Sequence, residues 1–439
     1  MRMVSRASPA RRAAFEILIA VAERRGEPAT LLHRSHYDSL SAADRDLMTE
    51  ITYGVLRWRN RLDFILAAHS SRPLEKIDDV PLTALHIGLY QLLFSSRVPA
   101  RAAVDESVRL THAFGASWSA AFVNAVLRNV SRRPDEPRLP SKDTDAIRYL
   151  TTTLSHPEWL ARRYIERLGL DDAEARCRVQ NEPPPVHVRV ARPMTVEDAH
   201  RALAADGVAS EPVSLVPRGL RIVSGDLQKS ALYRKGGLTI QDAGAQLVAM
   251  LVDVSPPDVV LDVCAAPGGK ATAIAEEAFR GYVVAIDRRH RRTLLTRRLA
   301  TRLGRANVFP VTADGARLPV ARKFHRILLD VPCTSLGTVR RNPDIKWRIT
   351  PSDLPARALL QRELLNVAAE SLSPGGRLVY ATCSSEPEEN ADIVTAFLAD
   401  EPSFRLVPSP VLPTSAGFFE TRPERDDTDA HFAAILTKP

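Results

Sequence analysis

The stretch LDVCAAPGGKAT, residues 261–272, decides the fold of the C-terminal half of this chain. An apolar run, VVLDVCA, is followed by a turn containing Gly268 and Gly269 and then by a helical pattern that begins at Lys270. Adjacent glycines let a ligand approach the backbone closely, and the N–H groups at the start of a helix attract polar ligand atoms. The stretch therefore predicts a strand, a ligand-binding loop and a helix, in that order.

The next strand-like segment, YVVAID, indicates what kind of ligand the loop binds. It ends at Asp287, nineteen residues after Gly268, where an acid in Rossmann-like folds hydrogen-bonds ribose hydroxyls. The loop has neither the GxGxxG spacing of dinucleotide sites nor the GxxxxGK[ST] spacing of nucleoside triphosphate sites. A nucleoside-containing ligand of another kind fits these features, and an ordinary turn between a strand and a helix is the alternative.

Strands and helices alternate from about residue 236 onward. The strand-like segments after VVLDVCA are YVVAID, NVFPVTAD, RILLDVP and RLVYATCS, with helical patterns between most of them. Alternation of this kind is typical of a parallel sheet with helices on both faces. We predict an α/β, Rossmann-like domain for this part of the chain.

Two thiols and an acid follow strands of the predicted sheet. Asp330 and Cys333 come at the end of RILLDVP, and Cys383 comes after LVYAT. Ligands bind at the carboxyl ends of the strands in open parallel sheets, so these groups are expected beside the glycine loop. Ser384 or Ser385 is predicted to cap a helix, which would lower the pKa of the Cys383 thiol.

Each cysteine could instead have a structural role. Burial as a small apolar side chain is the more frequent fate of a cysteine, and it is the alternative for Cys333. Cys264, within the glycine loop, could equally serve packing. Cys177 lies on a predicted helix without chemical neighbours in sequence and is expected to be structural.

Two thiols and a carboxylate beside one ligand loop suit a particular chemistry. A thiolate can add to C6 of a pyrimidine, which makes C5 able to attack a methyl group carried on a sulfonium. The second thiol would help to clear the C5 proton and the covalent link, and the acid would hydrogen-bond N3 and the exocyclic amine. These arguments do not distinguish which of Cys333 and Cys383 attacks.

The N-terminal part is predicted to be helical. Residues 10–133 show apolar positions at helical spacing, and Ser41 with Asp44 predicts a helix start. We expect an all-α domain of five or more helices, a linker over residues 134–146 and a small α+β subdomain. The predicted boundaries are 1–140, 141–235 and 236–439.

The composition indicates a polyanionic partner. Among 60 basic residues of this 439-residue chain 8 are Lys and the other 52 Arg, and the net charge is +8. Residues 288–305 hold eight arginines, which suits phosphate binding. A second segment mixes cations with an aromatic side chain, as single-stranded nucleic acids prefer. Its members are Arg340, Arg341, Lys346, Trp347 and Arg348.

Several classes of protein are not expected from the sequence. Four cysteines without a CxxC pair argue against a disulfide scaffold and a metal site. No apolar run approaches the ~18 residues of a membrane span, and the N-terminal segment lacks the apolar core of a signal peptide. We expect a cytoplasmic protein with reduced thiols and no bound metal.

At these motifs the chain resembles a known family. CAAPGGK, DVPC and YATCS…EEN are similar to the signature motifs of RNA 5-methylcytosine methyltransferases, most of all the Sun family, the ribosomal RNA small subunit methyltransferase B group. DRDLMTEITYGVLRW, LHIGLYQLLF and AAFVNAVLRNV resemble the NusB-type RNA-binding domain of that group. The resemblance implies transfer of a methyl group from S-adenosylmethionine to C5 of a cytidine in small-subunit (16S) ribosomal RNA, in an unfolded or partly assembled state, by a monomer.

The resemblance also implies roles for individual residues. Cys383 would be the nucleophile, Cys333 would assist release, and Asp330 would lie between cofactor and cytosine. Asp287 would bind the ribose, and Asp314 would lie near the adenine. The loop that wraps the S-adenosylmethionine would consist of Cys264, Ala265, Ala266, Pro267, Gly268, Gly269 and Lys270.

The chain departs from the family pattern at a few positions. Val331 replaces a small residue, Ala191 replaces an Asn, and residues 334–336 replace a turn that contains glycine. The Asp-Gly-Phe-Phe expected near the C-terminus reads DAHF, with Ala430 and His431, and His431 is predicted to face solvent.

Two functions of other classes remain as alternatives. A non-catalytic RNA chaperone would explain the helical domain and the charge, but it would leave both thiols without a role. A dinucleotide-dependent dehydrogenase would need a different glycine pattern.

Overall fold

The computed structural model describes residues 7–133, 137–319 and 322–438. The chain forms two compact units. One comprises Met1–Glu182 with Asn342–Arg348, and the other comprises Pro183–Arg341 with Ile349–Pro439. In the described parts, no helix is both long and apolar enough to cross a lipid bilayer.

The first unit is helical in its described part, as the apolar spacing predicts. Its helices up to residue 182 are α1 (Pro9–Ala22), α2 (Pro28–Leu31), α3 (Ala42–His69), α4 (Asp79–Phe94), α5 (Ala100–Ala113), α6 (Ala120–Arg132), α7 (Ala146–Arg148), α8 (Glu158–Leu168) and α9 (Leu170–Gln180). The predicted start of α3 is confirmed, because the Ser41 Oγ accepts a hydrogen bond of 3.1 Å from the Asp44 N–H. The buried faces of α1 and α3–α6 share one apolar core.

The second unit contains a small antiparallel sheet. Its strands are β1 (Val186–Val190), β2 (Ala209–Pro212), β3 (Gly219–Ser224) and β4 (Leu238–Ile240), in the order β2-β3-β1-β4. Helices α10 (Val196–Ala205) and α11 (Ala231–Arg234) belong to the same region. The strand-like segments VHVRVAR and LRIV and the helical pattern over residues 196–206 predict β1, β3 and α10, whereas β2 and β4 are not predicted. The sheet extends to Ile240, past the predicted boundary at 235, whereas α8 and α9 belong to the helical unit.

The large sheet of the second unit carries the predicted alternation. Its strands are β5 (Val259–Val263), β6 (Tyr282–Asp287), β7 (Val308–Thr312), β8 (Phe324–Asp330), β9 (Leu372–Thr382), β10 (Arg405–Val407), β11 (Phe419–Glu420) and β12 (Phe432–Thr437). The order is β10-β12-β9-β8-β5-β6-β7, with β11 paired to β12. Strands β5 to β9 pair in parallel, and β10, β11 and β12 pair antiparallel at one edge. The α/β, Rossmann-like fold is confirmed.

Helices cover both faces of this sheet. They are α12 (Ala243–Met250), α13 (Gly269–Glu277), α14 (His290–Arg302), α16 (Asp353–Glu370) and α17 (Ala391–Asp400). The short helix α18 (Pro423–Asp426) lies between β11 and β12, and α15 (Ile345–Arg348) lies in the helical unit. Successive residues of β5 enter different cores: Val260 contributes to one apolar cluster and Leu261 to the other. Burial on both sides explains why the parallel strands are apolar almost throughout.

Within the helical unit, α3 is kinked. Trp58 has non-helical angles, φ −105° and ψ 15°. The Asn60 N–H donates to the Ser155 Oγ at 3.0 Å, so the carbonyl of Leu56, its partner in a regular helix, takes a different donor. Insertion of a side chain into the hydrogen-bond ladder is a common cause of such kinks.

The segment Asn342–Arg348 supplies that donor. The Trp347 Nε1–H donates to the Leu56 carbonyl at 2.5 Å, and the Lys346 Nζ donates to the Arg57 carbonyl at 2.9 Å. Lys346 is fully buried, and burial lowers its pKa well below the usual value. These two side chains therefore satisfy backbone groups of α3.

The predicted nucleic-acid loop, residues 340–348, is not an open basic surface. Arg340 Nη1 donates to Asp427 Oδ1 at 2.6 Å, and Arg341 Nε donates to Asp429 Oδ2 at 3.0 Å. With the lysine and the tryptophan bonded to backbone carbonyls, the interpretation of this loop as a binding surface for single strands is wrong. The cations and the aromatic ring serve the fold of the two units.

Candidate active site

The glycine loop joins β5 to α13 and turns through two residues with left-handed backbone. Cys264 has a φ of 65° and Gly268 a φ of 101°. A Cβ on Gly268 would lie 2.8 Å from the Cγ2 of Thr296 in α14. Glycine is therefore required both by the backbone angle and by the close approach of α14. Because α13 begins at Gly269, its first N–H groups border the loop.

Three carboxylates follow the strands beside this loop. Asp287 ends β6, and its Oδ1 accepts the Arg289 N–H at 3.0 Å. Asp314 follows β7, and its Oδ1 accepts the Ala316 N–H at 3.1 Å. Asp330 ends β8, and its Oδ2 accepts from the Lys270 Nζ at 2.9 Å. All of them follow parallel strands at the carboxyl edge of this sheet, on either side of β5, where ligands bind in such sheets.

Lys270 places a positively charged side chain at this edge of the sheet. Burial alone would lower its pKa, but the charge and the hydrogen bond of Asp330 raise it. The ammonium group therefore stays charged beside the carboxylate. The pair places a positive and a negative group between the glycine loop and the loop that follows β8.

The buried side chain of Asp262 in β5 indicates whether a polar ligand fits beside the glycine loop. Both carboxyl oxygens of Asp262 are buried and have no hydrogen-bond partner among the described residues. Burial and then the charge of Asp330 raise the pKa of Asp262 well above its usual value, so it is a neutral acid that can donate and accept. An unsatisfied buried carboxyl group is costly, and a polar ligand on the loop would satisfy it.

Cys264 does not qualify as a nucleophile. Burial, then the charges of Asp330 and Asp287, raise the pKa of its thiol to about 12. The thiol of Cys264 therefore stays protonated at neutral pH. Its side chain lines the loop as a small residue, which agrees with the interpretation of Cys264 as a packing residue.

The other two thiols meet. Cys333 Sγ lies 3.4 Å from Cys383 Sγ, a hydrogen-bond distance for sulfur and too long for a disulfide of about 2.05 Å. The pairing of β8 with β9 explains the convergence, because Asp330 faces Ala381 across the ladder. Each thiol follows that pair within three residues, so the two loops leave the sheet side by side.

The two thiols differ in ionisation. The hydrogen bond from Cys333 lowers the pKa of Cys383 to about 7 against the effect of burial, and the charge of His431 and the hydroxyl of Ser335 also lower it. The same hydrogen bond and burial raise the pKa of Cys333 well above its usual value. The contact between the two sulfurs thus favours ionisation of Cys383 over ionisation of Cys333.

The predicted cap after Cys383 is wrong. The helix that follows, α17, begins only at Ala391, and its N-terminal flanking residue is Asn390. Ser384 Oγ instead accepts the Glu386 N–H at 3.1 Å in a tight turn. The low pKa of Cys383 thus comes from Cys333 and its neighbours rather than from a helix dipole.

One carboxylate, Glu389, holds both cysteine loops. Its Oε1 accepts the Thr334 N–H at 2.8 Å, and its Oε2 accepts the hydroxyls of Thr334 and Ser384, each at 2.5 Å. Gln361 Nε2 of α16 donates to Oε1 at 3.0 Å. Thr334 follows Cys333 and Ser384 follows Cys383, so a single buried side chain fixes the separation of the thiols. The EEN motif shows this acid, but its partners come from its own loop and from two earlier segments of the chain, the loop after β8 and α16.

We expect Glu389→Gln to lower the free energy of unfolding by about 1–3 kcal/mol, the cost of leaving a buried donor unsatisfied. The carboxylate accepts four hydrogen bonds, whereas the amide presents one nitrogen that can only donate. Urea unfolding measures the difference, with Glu363→Gln on the exposed side of α16 as a control of equal charge change. Equal stability of the two variants would contradict the role of Glu389 in holding the two cysteine loops together.

The turn after Cys333 explains one departure from the family pattern. Ser335 adopts a φ of 62°, the region that glycine favours, at the turn where glycine is expected. Its Oγ lies 3.5 Å from Cys383 Sγ. Ser335 is not among the site residues predicted from the sequence, and the missing glycine is the only signal for it. Val331 is buried, and its N–H donates to the Ala381 carbonyl at 3.0 Å.

The predicted solvent exposure of His431 is wrong. Its side chain is 6% exposed, and its Nε2 lies 3.3 Å from Asp242 Oδ1. His431 precedes β12, the neighbour of β9, so the histidine approaches the site from the antiparallel edge of the sheet. Ala430 also contacts this region, since its N–H donates to the Gly337 carbonyl at 2.9 Å.

Fold and site together define a Rossmann-like methyltransferase that follows a NusB-type helical domain. Residues 249–437 match the family model described as 16S rRNA methyltransferase RsmB/F, residues 8–132 match the NusB family, and residues 156–226 match the ferredoxin-like domain of RsmF/B-like methyltransferases. The chain belongs to the ribosomal RNA small subunit methyltransferase B family.

Relatives with this name match most of the chain. The ribosomal RNA small subunit methyltransferase B of Pasteurella multocida is 33% identical over 97% of this chain and 95% of its own length. The protein of that name from Pseudomonas putida is 36% identical over 84% of each. The crystal structure of PH0851 covers 98% of this chain and 99% of its own, with 27% identity and a TM-score of 0.82. The family relation implies methylation of ribosomal RNA.

Proposed function

We propose that this chain transfers a methyl group from S-adenosylmethionine to C5 of a cytidine in small-subunit (16S) ribosomal RNA through a covalent adduct between Cys383 and C6. The observation that carries the proposal is the 3.4 Å approach of Cys333 Sγ and Cys383 Sγ beside the ion pair of Asp330 with Lys270. A pyrimidine methyltransferase needs a thiolate, a proton acceptor and an acid in one place.

The glycine loop is proposed to hold the cofactor. The loop residues are Cys264, Ala265, Ala266, Pro267, Gly268, Gly269 and Lys270. Asp287 would hydrogen-bond the ribose, Asp314 would lie near the adenine, and the neutral Asp262 supports a polar group at the loop. When bound, S-adenosylmethionine supplies an electrophilic methyl group.

Cys383 is proposed to start the reaction. Its sulfur would form a bond to C6 with its own electron pair, and the C5–C6 π pair would move to C5. C5 could then attack the methyl group that a bound sulfonium supplies, with the S–methyl electron pair remaining on the cofactor sulfur as a neutral thioether. Asp330 would accept a hydrogen bond from the exocyclic amine and, after taking up a proton from solvent, would donate one to N3 and stabilise the charge that develops there. The lowered pKa of Cys383 supports this order, because the thiolate rather than the thiol is the nucleophile.

Cys333 is proposed to end the reaction. The C5 proton must leave, and its electron pair then expels Cys383 from C6. While Cys383 is a thiolate, the hydrogen bond to it keeps Cys333 protonated. Once the Cys383 sulfur is bound to carbon it carries no negative charge, so the main cause of the high pKa of Cys333 disappears. Cys333 would then lose its thiol proton to solvent, and the resulting thiolate would accept the C5 proton.

The RNA is proposed to bind through the helical domain and the basic helix α14. Arg291, Arg297 and Arg298 are exposed on α14, whereas Arg292 and Arg302 donate to backbone carbonyls of the protein. A cytidine reaches a buried thiol only when it leaves its stack, so we propose an unfolded or partly assembled RNA as substrate and a monomeric enzyme. The proposed functional division remains 1–140, 141–235 and 236–439.

The test is methylation in vitro. Unmodified small-subunit RNA is incubated with the full chain and S-adenosylmethionine labelled in the methyl group, and the nucleosides are separated after digestion. We expect label in 5-methylcytidine at one position of the RNA. Label confined to another nucleoside would contradict the proposal, and unmodified transfer RNA as a parallel substrate tests the choice of RNA.

A further inference from the structure

Ser335 holds its backbone in a conformation that residues with a side chain disfavour. Its φ of 62° and ψ of 22° lie in the left-handed region, where glycine is at ease and a serine is strained. The family pattern has a turn containing glycine at this place, and the chain departs from it with this serine. Strained residues of this kind persist at functional sites when the structure around them holds them in place.

The segments on either side of Ser335 hold it in place. Thr334, which precedes it, is bound to Glu389 through both its N–H and its hydroxyl. Gly337, which follows the turn, donates its N–H to the Cys383 carbonyl at 3.0 Å. A Cβ on Gly337 would lie 2.7 Å from that carbonyl oxygen, so the two loops are packed closely. The serine is therefore held at a fixed place beside the loop that carries Cys383.

The hydroxyl of Ser335 lies beside both thiols. Its Oγ is 3.5 Å from Cys383 Sγ and 4.0 Å from Cys333 Sγ, and the shorter of these is a hydrogen-bond distance for sulfur. While Cys383 is a thiol, its S–H can donate to the serine oxygen. Once that proton has left, the proton that remains between the two atoms is that of the hydroxyl, so Ser335 becomes the donor and the thiolate the acceptor.

The contact favours the ionised sulfur, because a hydrogen bond to a charged acceptor is stronger than one to a neutral acceptor. The hydrogen bond from Cys333 is the largest cause that lowers the pKa of Cys383 to about 7 against burial, and the hydroxyl of Ser335 acts in the same direction. The other charged or titratable groups that interact with the charge of Cys383 are Asp330, His431 and Lys270.

We propose that Ser335 acts in the reaction as a hydrogen-bond donor to the Cys383 sulfur whenever that sulfur is ionised. The sulfur is ionised before it attacks C6 and again when it is expelled from C6. In the expulsion the C–S bond breaks and its electron pair stays on sulfur, where the hydroxyl stabilises the charge as it develops. Ser335 keeps its own proton throughout. The inference rests on the proposed role of Cys383.

The test is the pH dependence of Cys383 alkylation in the full chain without RNA. Iodoacetamide is applied between pH 5 and 9, and mass spectrometry follows the peptide that contains Cys383. Ser335→Ala removes the hydroxyl alone, whereas Ser335→Gly removes the hydroxyl and the strain. In both variants we expect the midpoint of the thiol titration to rise by about half a unit to one unit and the rate at pH 7 to fall about two- to fivefold.

Two controls separate this effect from a loss of folding. Ser335→Gly should melt at no lower a temperature than the unmutated chain, because glycine adopts the left-handed conformation without strain. A merely structural serine would leave the thiol of that stable variant as reactive as before. Ser224→Ala changes an exposed serine at the end of β3 and should leave the titration unchanged.

An unchanged midpoint in both folded variants of Ser335 would overturn the inference. Because no methyl transfer is measured, failure here is distinct from failure of the proposed function, which methylation by Cys383→Ala would show.

Discussion

Cys383→Ala should lose methyl transfer by at least about 10⁴-fold, as when a catalytic nucleophile is removed from an enzyme that acts through it. Without the sulfur no bond to C6 forms, and C5 of cytosine remains too poor a nucleophile to take a methyl group. Affinity for S-adenosylmethionine should stay nearly the same, because the glycine loop follows β5 whereas Cys383 follows β9. Initial rates with labelled cofactor and calorimetric binding measure the two quantities.

Cys177→Ala is the matched control for that variant. It removes a buried thiol from α9 of the helical unit, far along the chain from the site residues. We expect its rate to stay within about twofold of the unmutated chain, as for a change that touches no reacting group. Full activity of Cys383→Ala would contradict the assignment of Cys383 as the nucleophile.

Cys333→Ala should accumulate a covalent complex with RNA. Adduct formation needs only Cys383, and release needs an acceptor for the C5 proton. Loss of the hydrogen bond from Cys333 also raises the pKa of Cys383, so the adduct should form more slowly but decay more slowly still. A band of protein joined to RNA that survives denaturing electrophoresis is the expected result.

The double variant Cys333→Ala, Cys383→Ala is the control for that band. It lacks both sulfurs and should give no covalent complex under the same conditions. If Cys333→Ala alone gives no band and turns over normally, then Cys333 does not assist release, and another group near C5 takes the proton.

The alternation of strands and helices was sufficient to predict the main sheet. Continuous apolar segments such as β5 and β8 are followed by breakers, which is typical of buried strands. The short strands β2 and β4 escaped prediction because they contain only four and three residues, fewer than a period needs. The antiparallel pairing of β12 with β9 is a long-range contact that local pattern does not contain.

The thiols of the site could be predicted from the sequence, but their environment could not. Cys333 and Cys383 stand at strand ends, a local feature. Glu389 accepts hydrogen bonds from three segments of the chain. His431 contacts Asp242, which lies 189 residues away in the sequence. The cap after Cys383 was misassigned because a Ser before acidic residues suits a tight turn as well as a helix start.

Charge patterns were the least informative signal. Arg340 and Arg341 indicate a polyanionic partner in the sequence, but in the structure both donate hydrogen bonds to carboxylates of the same unit. A sequence shows the sign of a charge but not whether its partner lies inside the chain. The buried Lys346, which bonds to the carbonyl of Arg57, illustrates the same point.

The central claim is that Cys383, and not Cys333, attacks the base. RNA in which the target cytidine carries fluorine at C5 keeps the adduct, because fluorine cannot leave as the proton does. Digestion of the unmutated protein after reaction with this RNA, followed by mass spectrometry, identifies the peptide joined to the nucleotide. We expect the peptide that contains Cys383, and a nucleotide joined to Cys333 or to no cysteine would contradict the assignment of Cys383 as the nucleophile.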